Sequence, residues 1–165
     1  MVQLHVFDAK LHCHDHDQGE GWSIPIRDIV LIAEFTTDQG PQCDDYFLEF
    51  VTREQDELFY SYVTMYASGI DDALAKLEAG LRCALELKLP ASTEYRSRVV
   101  WPPQLAGAEY FRFEQAAPEG VWKRLTTRVK KDRQVTPHIA DPIKDYLAGQ
   151  IAPRAGQEPG VSAAN

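Results

Sequence analysis

The sequence predicts an α+β fold: an antiparallel sheet of four to six strands, a long amphipathic helix packed on one face, and a short C-terminal helix. Three apolar segments rich in strand-forming residues follow one another between residues 29 and 65, with short polar connections. A segment with helical leucine spacing comes next. The composition, 44% apolar and 25% charged, is typical of a globular chain of this length.

Four strands are predicted in the first 65 residues. Apolar and polar residues alternate from Val2 to Phe7, which predicts a short strand. Residues 8–23 are polar and rich in Gly and His, and we expect a loop there. The next three segments, 29–35, 46–52 and 58–65, are most simply read as an antiparallel meander.

The clearest predicted helix lies between Ser68, a plausible N-cap, and Pro90, which would stop it. Its apolar residues recur at steps of three and four and form one stripe: Ile70, Leu74, Leu77, Leu81 and Leu85. Burying these side chains against a sheet would contribute about 1.5–3 kcal/mol each before the entropy cost. We therefore expect this helix to pack on the meander.

The C-terminal part is predicted to contain shorter elements. Residues 99–101 form a strand that Pro102 and Pro103 would end, and residues 110–114 form another. Residues 121–129 favour a helix, although their pattern also fits a strand. Asp141 and Pro142 suit the start of a final helix that ends near Gly149. Residues 1–151 are predicted to form one domain and 152–165 a disordered tail.

Several classes of protein are excluded by composition and motifs. No apolar run approaches the roughly 18 residues needed to span a bilayer. The N-terminus lacks the basic lead of a signal peptide, and three widely separated cysteines argue against a disulfide framework. The sequence carries no phosphate-binding glycine loop, nucleophile elbow or paired CxxC motif. We expect a cytoplasmic chain that binds no membrane.

Charge is distributed unevenly along the chain. The net charge is −10 over residues 1–60, −2 over 61–120 and +4 over 121–165, which together make −8. An acidic chain attracts basic partners and repels nucleic acid, so no nucleic acid is expected as a partner. We expect the basic residues between 123 and 133 to neutralise the acidic half of the same chain.

A histidine-rich segment is a candidate metal site. His12, His14 and His16 alternate, and alternate side chains of an extended chain point to the same side. Two such imidazoles, completed by Asp17 or by Asp8, Asp15 or Cys13, would suit zinc or another divalent transition metal. The alternative is a solvated loop whose histidines are balanced by the aspartates.

A mixed aromatic and acidic face is the other candidate site. In the first hairpin of the meander we expect the numbers of paired residues to sum to about 81–83, and at a sum of 83 Glu34 lies opposite Glu49. One face would then carry two acids beside large aromatic side chains, and these are the predicted partner-binding residues: Glu34, Phe47, Glu49, Tyr60 and Tyr62. The opposite face would receive the helix and would carry Leu31, Ala33, Phe35, Leu48, Phe50, Val63 and Met65.

Three things could cover the aromatic and acidic face: the chain's own C-terminal part with Trp122, a homodimer or basic protein partner, or a substrate held by a catalytic carboxylate pair. The leading hypothesis is a non-enzymatic acidic protein-binding module of the inhibitor or immunity type, which covers a basic partner. The alternative is a metal-binding protein or metal-dependent hydrolase that uses the histidine segment.

Overall fold

The computed structural model describes residues 1–38, 43–89, 94–115 and 135–151, except the side chains of 113–115 and 135–137. These residues form an α+β fold with three antiparallel sheets, as the sequence predicts in outline. The first sheet has the order β1 (Val2–Phe7), β2 (Lys10–Asp15), β3 (Glu20–Pro25). The second has the order β6 (Glu57–Thr64), β5 (Tyr46–Glu54), β4 (Ile29–Thr36), β7 (Arg96–Trp101). The third pairs β8 (Phe111–Gln115) with β9 (Val135–Ile139).

Two α-helices accompany these sheets, α1 (Ile70–Leu81) and α2 (Asp141–Ile151), together with short 3-10 turns at Ile26–Asp28 and Pro103–Leu105. No helix in the described ranges is long and apolar enough to cross a membrane. The predicted helix at 121–129 and the predicted tail at 152–165 lie outside the described residues.

The predicted loop at residues 8–23 is wrong, because this stretch forms β2 and β3. Asp8 and Ala9 both have positive φ, 50° and 55°, as a tight two-residue hairpin turn requires, and they join Phe7 to Lys10. Within β2, Leu11 and Cys13 point into the core while the histidines between and after them point away. This is a half-buried strand whose outer face happens to be rich in histidine.

The predicted meander is confirmed as β4, β5 and β6, and from Leu31 to Thr36 the paired residue numbers sum to 82, within the predicted range but not the 83 that would place Glu34 opposite Glu49. Glu34 lies opposite Leu48, and Glu49 lies opposite Ala33. The same register continues past the strand ends, where the Thr37 amide donates to the Asp45 carbonyl at 2.8 Å. A slip of one residue moves a side chain to the other face, so Glu34 and Glu49 point to opposite sides of the sheet.

The first core lies between the first sheet, α1 and one face of the second sheet. Helix α1 packs on a sheet, but its main contacts run along β1 of the first sheet and not along the meander, where the sequence predicts it. It is shorter than predicted: Gly69 rather than Ser68 is its N-cap, and Arg82, with φ of 52°, ends it. The predicted stripe is buried at Ile70 and Leu77 and partly buried at Leu74 and Leu81, whereas Leu85 is buried beyond the helix.

A second core lies on the opposite face of the second sheet and is covered by α2. It contains residues of the sheet, the loops and the helix: Leu31, Ala33, Val51, Val99, Tyr110, Ala140, Ile143 and Leu147. The prediction that Leu31 and Ala33 share a face with Leu48 and Phe50 is therefore wrong. The second sheet is covered on both faces, which explains why β4 is an almost unbroken apolar run.

Candidate protein-binding surface

A row of four aromatic rings crosses the second sheet on the α2 side and ends on β8 of the third sheet. Tyr62, Phe47 and Phe35 lie on neighbouring strands, with ring centroids 6.1 Å and 5.1 Å apart, and Phe111 follows 5.7 Å beyond Phe35. The register of the strands produces this row. Phe35 of β4 pairs with Phe47 of β5, and Tyr62 of β6 pairs with Glu49, which lies two residues after Phe47 on the same face of β5. We call Tyr62, Phe47, Phe35 and Phe111 the aromatic row. The prediction that Phe35 lies on the opposite, helix-facing side is wrong, because Phe35 pairs with Phe47 and shares its face.

Strand β6 carries the most exposed part of this surface. Tyr60 is 47% exposed and Tyr62 64% exposed, and both lie on the face that bears Glu49 and Phe47. Phe59, on the other face of the same strand, is 45% exposed. Three large aromatic side chains on four consecutive residues of an outer strand are well suited to an interface, where Tyr and Phe are enriched.

A cleft of about 380 Å³ runs between β6 and β3. Residues 60–64 of β6 form one wall, and Glu20, Gly21 and Trp22 of β3 form part of the other. Its charged lining residues are all acidic: Asp15, Glu20 and Asp44. Asp15 pairs with the N-terminal ammonium at 3.5 Å, whereas Glu20 and Asp44 make no ion pair within the described residues. The cleft is therefore suited to a cationic group.

Glu49 is buried in the sheet beneath the exposed tyrosines. Burial raises the pKa of its carboxyl from 4.5 to about 7. Burial also raises the pKa of Tyr110, and the nearby Glu49 carboxylate adds to that effect. Glu49 is thus close to the balance between its neutral and charged forms at neutral pH, although it does not line the cleft.

Glu34 has a different environment on the other face. It is fully buried, and its carboxylate accepts hydrogen bonds from the Tyr46 hydroxyl at 2.5 Å and the Arg98 guanidinium at 2.8 Å. The backbone amides of Lys88 and Leu89 also donate to it, at 2.8 Å and 3.2 Å. These donors hold the segment after α1 against β4. The hypothesis of a catalytic pair made of Glu34 and Glu49 is wrong, because the sheet separates the two carboxyl groups.

The structure thus brings together four of the five predicted partner-binding residues: Phe47, Glu49, Tyr60 and Tyr62 share one face. Glu34 lies on the other, and its carboxylate is enclosed. Residues of the cleft that sequence reasoning missed, such as Glu20 and Trp22, lie in the stretch expected to be a loop. The sequence offered no signal that would place these residues beside β6, because the cleft forms between strands that are distant in sequence.

The histidines lie on the outer face of the first sheet. His12 pairs with His5 across β1 and β2, and their rings stack with centroids 5.0 Å apart. His14 and His16 meet edge to face at 4.6 Å, and His16 Nε2 lies 3.3 Å from the Gln3 side-chain oxygen. The expected alternation is present, and His5 joins the set through strand pairing that the sequence did not reveal.

The residues suggested to complete a metal site are placed elsewhere or are already engaged. Cys13 points into the core, where burial raises its pKa, so it cannot join the histidines. Asp17 contacts the N-terminal ammonium. In the described part of the chain, no three His, Cys, Asp or Glu side chains converge as metal ligands. Metal binding by His12, His14 and His16 with Asp17 stays a prediction.

The fold and the surface define an α+β chain that carries an aromatic row beside an acidic cleft. No protein-family model, no curated protein and no solved structure matches this chain.

Proposed function

We propose that the protein is a non-enzymatic protein-binding module that covers a basic partner, in the manner of an inhibitor or immunity protein. The observation that carries this proposal is the exposure of Tyr60 and Tyr62 on an outer strand, next to a cleft whose charged groups are all acidic. The aromatic side chains would supply apolar contact area, and the carboxylates would select and steer a positively charged surface. A homodimer is the other partner that this face could accept.

The net charge of −8 supports the same function at longer range. A basic partner would be drawn toward the chain before contact, so association should slow as salt screens the attraction. A catalytic pair of Glu34 and Glu49 is not proposed, because the two acids are on opposite faces of the sheet.

The test uses a partner captured on the immobilised protein from its native cells, identified and then purified. We expect Tyr60→Ala and Tyr62→Ala each to raise the measured Kd by about fivefold or more, since truncating an interface anchor costs at least about 1 kcal/mol. Phe7→Ala is the matched control, because Phe7 is 72% exposed but lies on β1. An unchanged Kd in both tyrosine variants would contradict the use of this face.

We also propose metal binding as a second candidate function, because four histidines lie in two ring pairs on one side of the first sheet. Metal content of the untagged protein, measured by mass spectrometry, should be about one equivalent of zinc or another divalent transition metal. Chelator should lower the melting temperature, and the triple variant His12→Ala, His14→Ala, His16→Ala should contain none. His138→Ala serves as the control, and metal-free protein with an unchanged melt would retire this candidate.

A further inference from the structure

The outer edges of β1 and β7 are already hydrogen-bonded. Along β1, Leu4 donates to the Ser68 carbonyl at 2.9 Å and Ser68 donates to the Val2 carbonyl at 3.0 Å. Along β7, Val99 donates to Ala108 and accepts from Gly107, both at 2.8 Å. Loop segments therefore occupy these edges, which is a common way for proteins to prevent strand addition.

The edges of β3 and β6 differ from these. Among the described residues, no backbone hydrogen bond joins the outer edge of β3, or of β6 before its last residue, to another segment. The two strands are not paired with each other, and they face each other across the cleft. A second cavity continues the gap between the two strands, and we call this whole gap the seam. The second cavity is lined by Ser23, Ile24 and Pro25 of β3 and by Phe59 and Ser61 of β6.

Of the two free edges, β6 is better suited to accept a further strand. Strand β3 contains Glu20, Gly21 and Pro25, and charge, glycine and proline all discourage strand addition. Residues 58–64 of β6 contain no charged residue, no glycine and no proline. Their side chains include Phe59, Tyr60 and Tyr62, which favour strand pairing and present apolar area.

The charge along the seam indicates the chemistry of the added strand. Asp15, Glu20 and Asp44 line the first cavity without a basic side chain. The second cavity is balanced, with Lys10 and Arg53 against Asp28 and Glu54. We propose that an extended Lys- or Arg-containing segment of a partner protein adds to the edge of β6 as a new strand, with its basic side chains at the Glu20 and Asp44 end. This inference rests on the proposed function, for which it names the mode of binding.

The test uses synthetic peptides of about ten residues, long enough to span β6. One alternates Lys and Val, one alternates Glu and Val, and a third is the Lys–Val peptide with alternate backbone amides N-methylated. We expect the Lys–Val peptide to bind with amide shift changes in the NMR spectrum confined to 20–25 and 57–64. The Glu–Val and N-methylated peptides should bind at least about tenfold more weakly, because they lack the charge match or the ladder donors.

Two protein variants test the same geometry. Glu20→Gln combined with Asp44→Asn should weaken Lys–Val binding by about three- to tenfold, since each exposed charge contributes up to about 1 kcal/mol. Glu109→Gln combined with Asp72→Asn removes two exposed acids elsewhere and should leave binding unchanged. Equal affinity of the N-methylated peptide, or no binding by the Lys–Val peptide, would overturn strand addition.

Other occupants of the seam would give different results. If the chain's own basic residues occupied it, Lys130→Gln combined with Lys131→Gln would tighten peptide binding, which would overturn the proposal. A second copy would appear as a dimer in sedimentation that Tyr62→Ala dissociates, which would also overturn it. The proposed function fails separately: it fails when neither tyrosine variant weakens the captured partner. If the tyrosine variants weaken that complex while the N-methylated peptide binds normally, only the strand-addition inference fails.

Discussion

Glu34 and Glu49 are two buried glutamates whose surroundings differ strongly, so their expected effects on stability differ as well. Glu34 is enclosed on the α1 side by four donor groups, and Glu49 is enclosed on the α2 side among apolar and aromatic groups. The first joins three segments of the chain through a charged network. The second is a buried acid whose charge is costly. We therefore expect replacement of Glu34 to destabilise the fold, whereas Glu49 should make stability depend on pH.

Replacing Glu34 with Ala should lower the free energy of unfolding by about 3–5 kcal/mol, because it leaves the partly buried Arg98 guanidinium without its partner. The amides of Lys88 and Leu89 would also lose their acceptor. Urea titration would measure this loss. Asp72→Ala, which breaks an exposed ion pair with Lys76, should cost about 1 kcal/mol or less. A loss at Glu34 no larger than at Asp72 would show that the network contributes little.

Glu49 should make stability depend on pH. The folded protein keeps this proton up to about pH 7, whereas the unfolded chain releases it near 4.5, so the folded state binds more protons between these values. Stability should therefore fall as pH rises through that range and then level off above it. Between pH 4.5 and 7, the free energy of unfolding of the wild-type protein should fall by up to about 3 kcal/mol relative to that of Glu49→Gln.

Thermal or urea unfolding at several pH values would measure this difference. Glu57→Gln, an exposed acid on the same hairpin, provides the control and should follow the wild-type curve. The contrary result would be that the unfolding free energies of the wild-type protein and Glu49→Gln change in parallel from pH 4.5 to 7. That result would show that the carboxyl of Glu49 is solvated rather than buried.

At the scale of elements, strands with strong apolar character were predictable and strands with polar outer faces were not. β4, β5 and β6 follow from their content of Ile, Val, Phe and Tyr. β2 was missed because histidines and aspartates fill its outer positions, although Leu11 and Cys13 alternate with them. Helix α1 ends well before Pro90, where the sequence predicts its end. It ends earlier because Arg82 adopts a left-handed conformation, which no residue pattern requires.

The junction between β1 and α1 depends on a glycine. Gly69 has φ of 81°, and a Cβ there would lie 2.6 Å from the Leu4 carbonyl oxygen. Gly69→Ala should therefore destabilise the protein by about 1–3 kcal/mol, since it adds strain and displaces β1. Gly149→Ala, inside α2 with no atom within 4 Å of the new Cβ, should instead stabilise it by about 0.5–1 kcal/mol.

Differential scanning calorimetry of both variants would compare these effects. A melting temperature for Gly69→Ala equal to or above the wild-type value would show that β1 and the loop before α1 separate at little cost. The Gly149→Ala variant tests whether the assigned helix at Asp141–Ile151 is present in solution.

For the whole molecule, the second sheet is the central layer. One face packs against the first sheet and α1, and the other packs against α2. The aromatic row lies on the same face of the second sheet as the α2 core. The acidic cleft lies between β3 of the first sheet and β6 of the second, two edge strands that are not paired. Function is therefore proposed at the edges of the layers rather than within a cavity of the core.

The sequence by itself determined the class of fold, the central hairpins and the position of both helices, because these follow from local periodicity and turn chemistry. It also singled out Phe47, Glu49, Tyr60 and Tyr62, which do share one face. Only the tertiary structure decided the register, because the local pattern of apolar residues fits neighbouring registers and a slip of one residue moves Glu34 to the other face. It alone placed β3 beside β6, because contacts between strands distant in sequence depend on how whole layers pack.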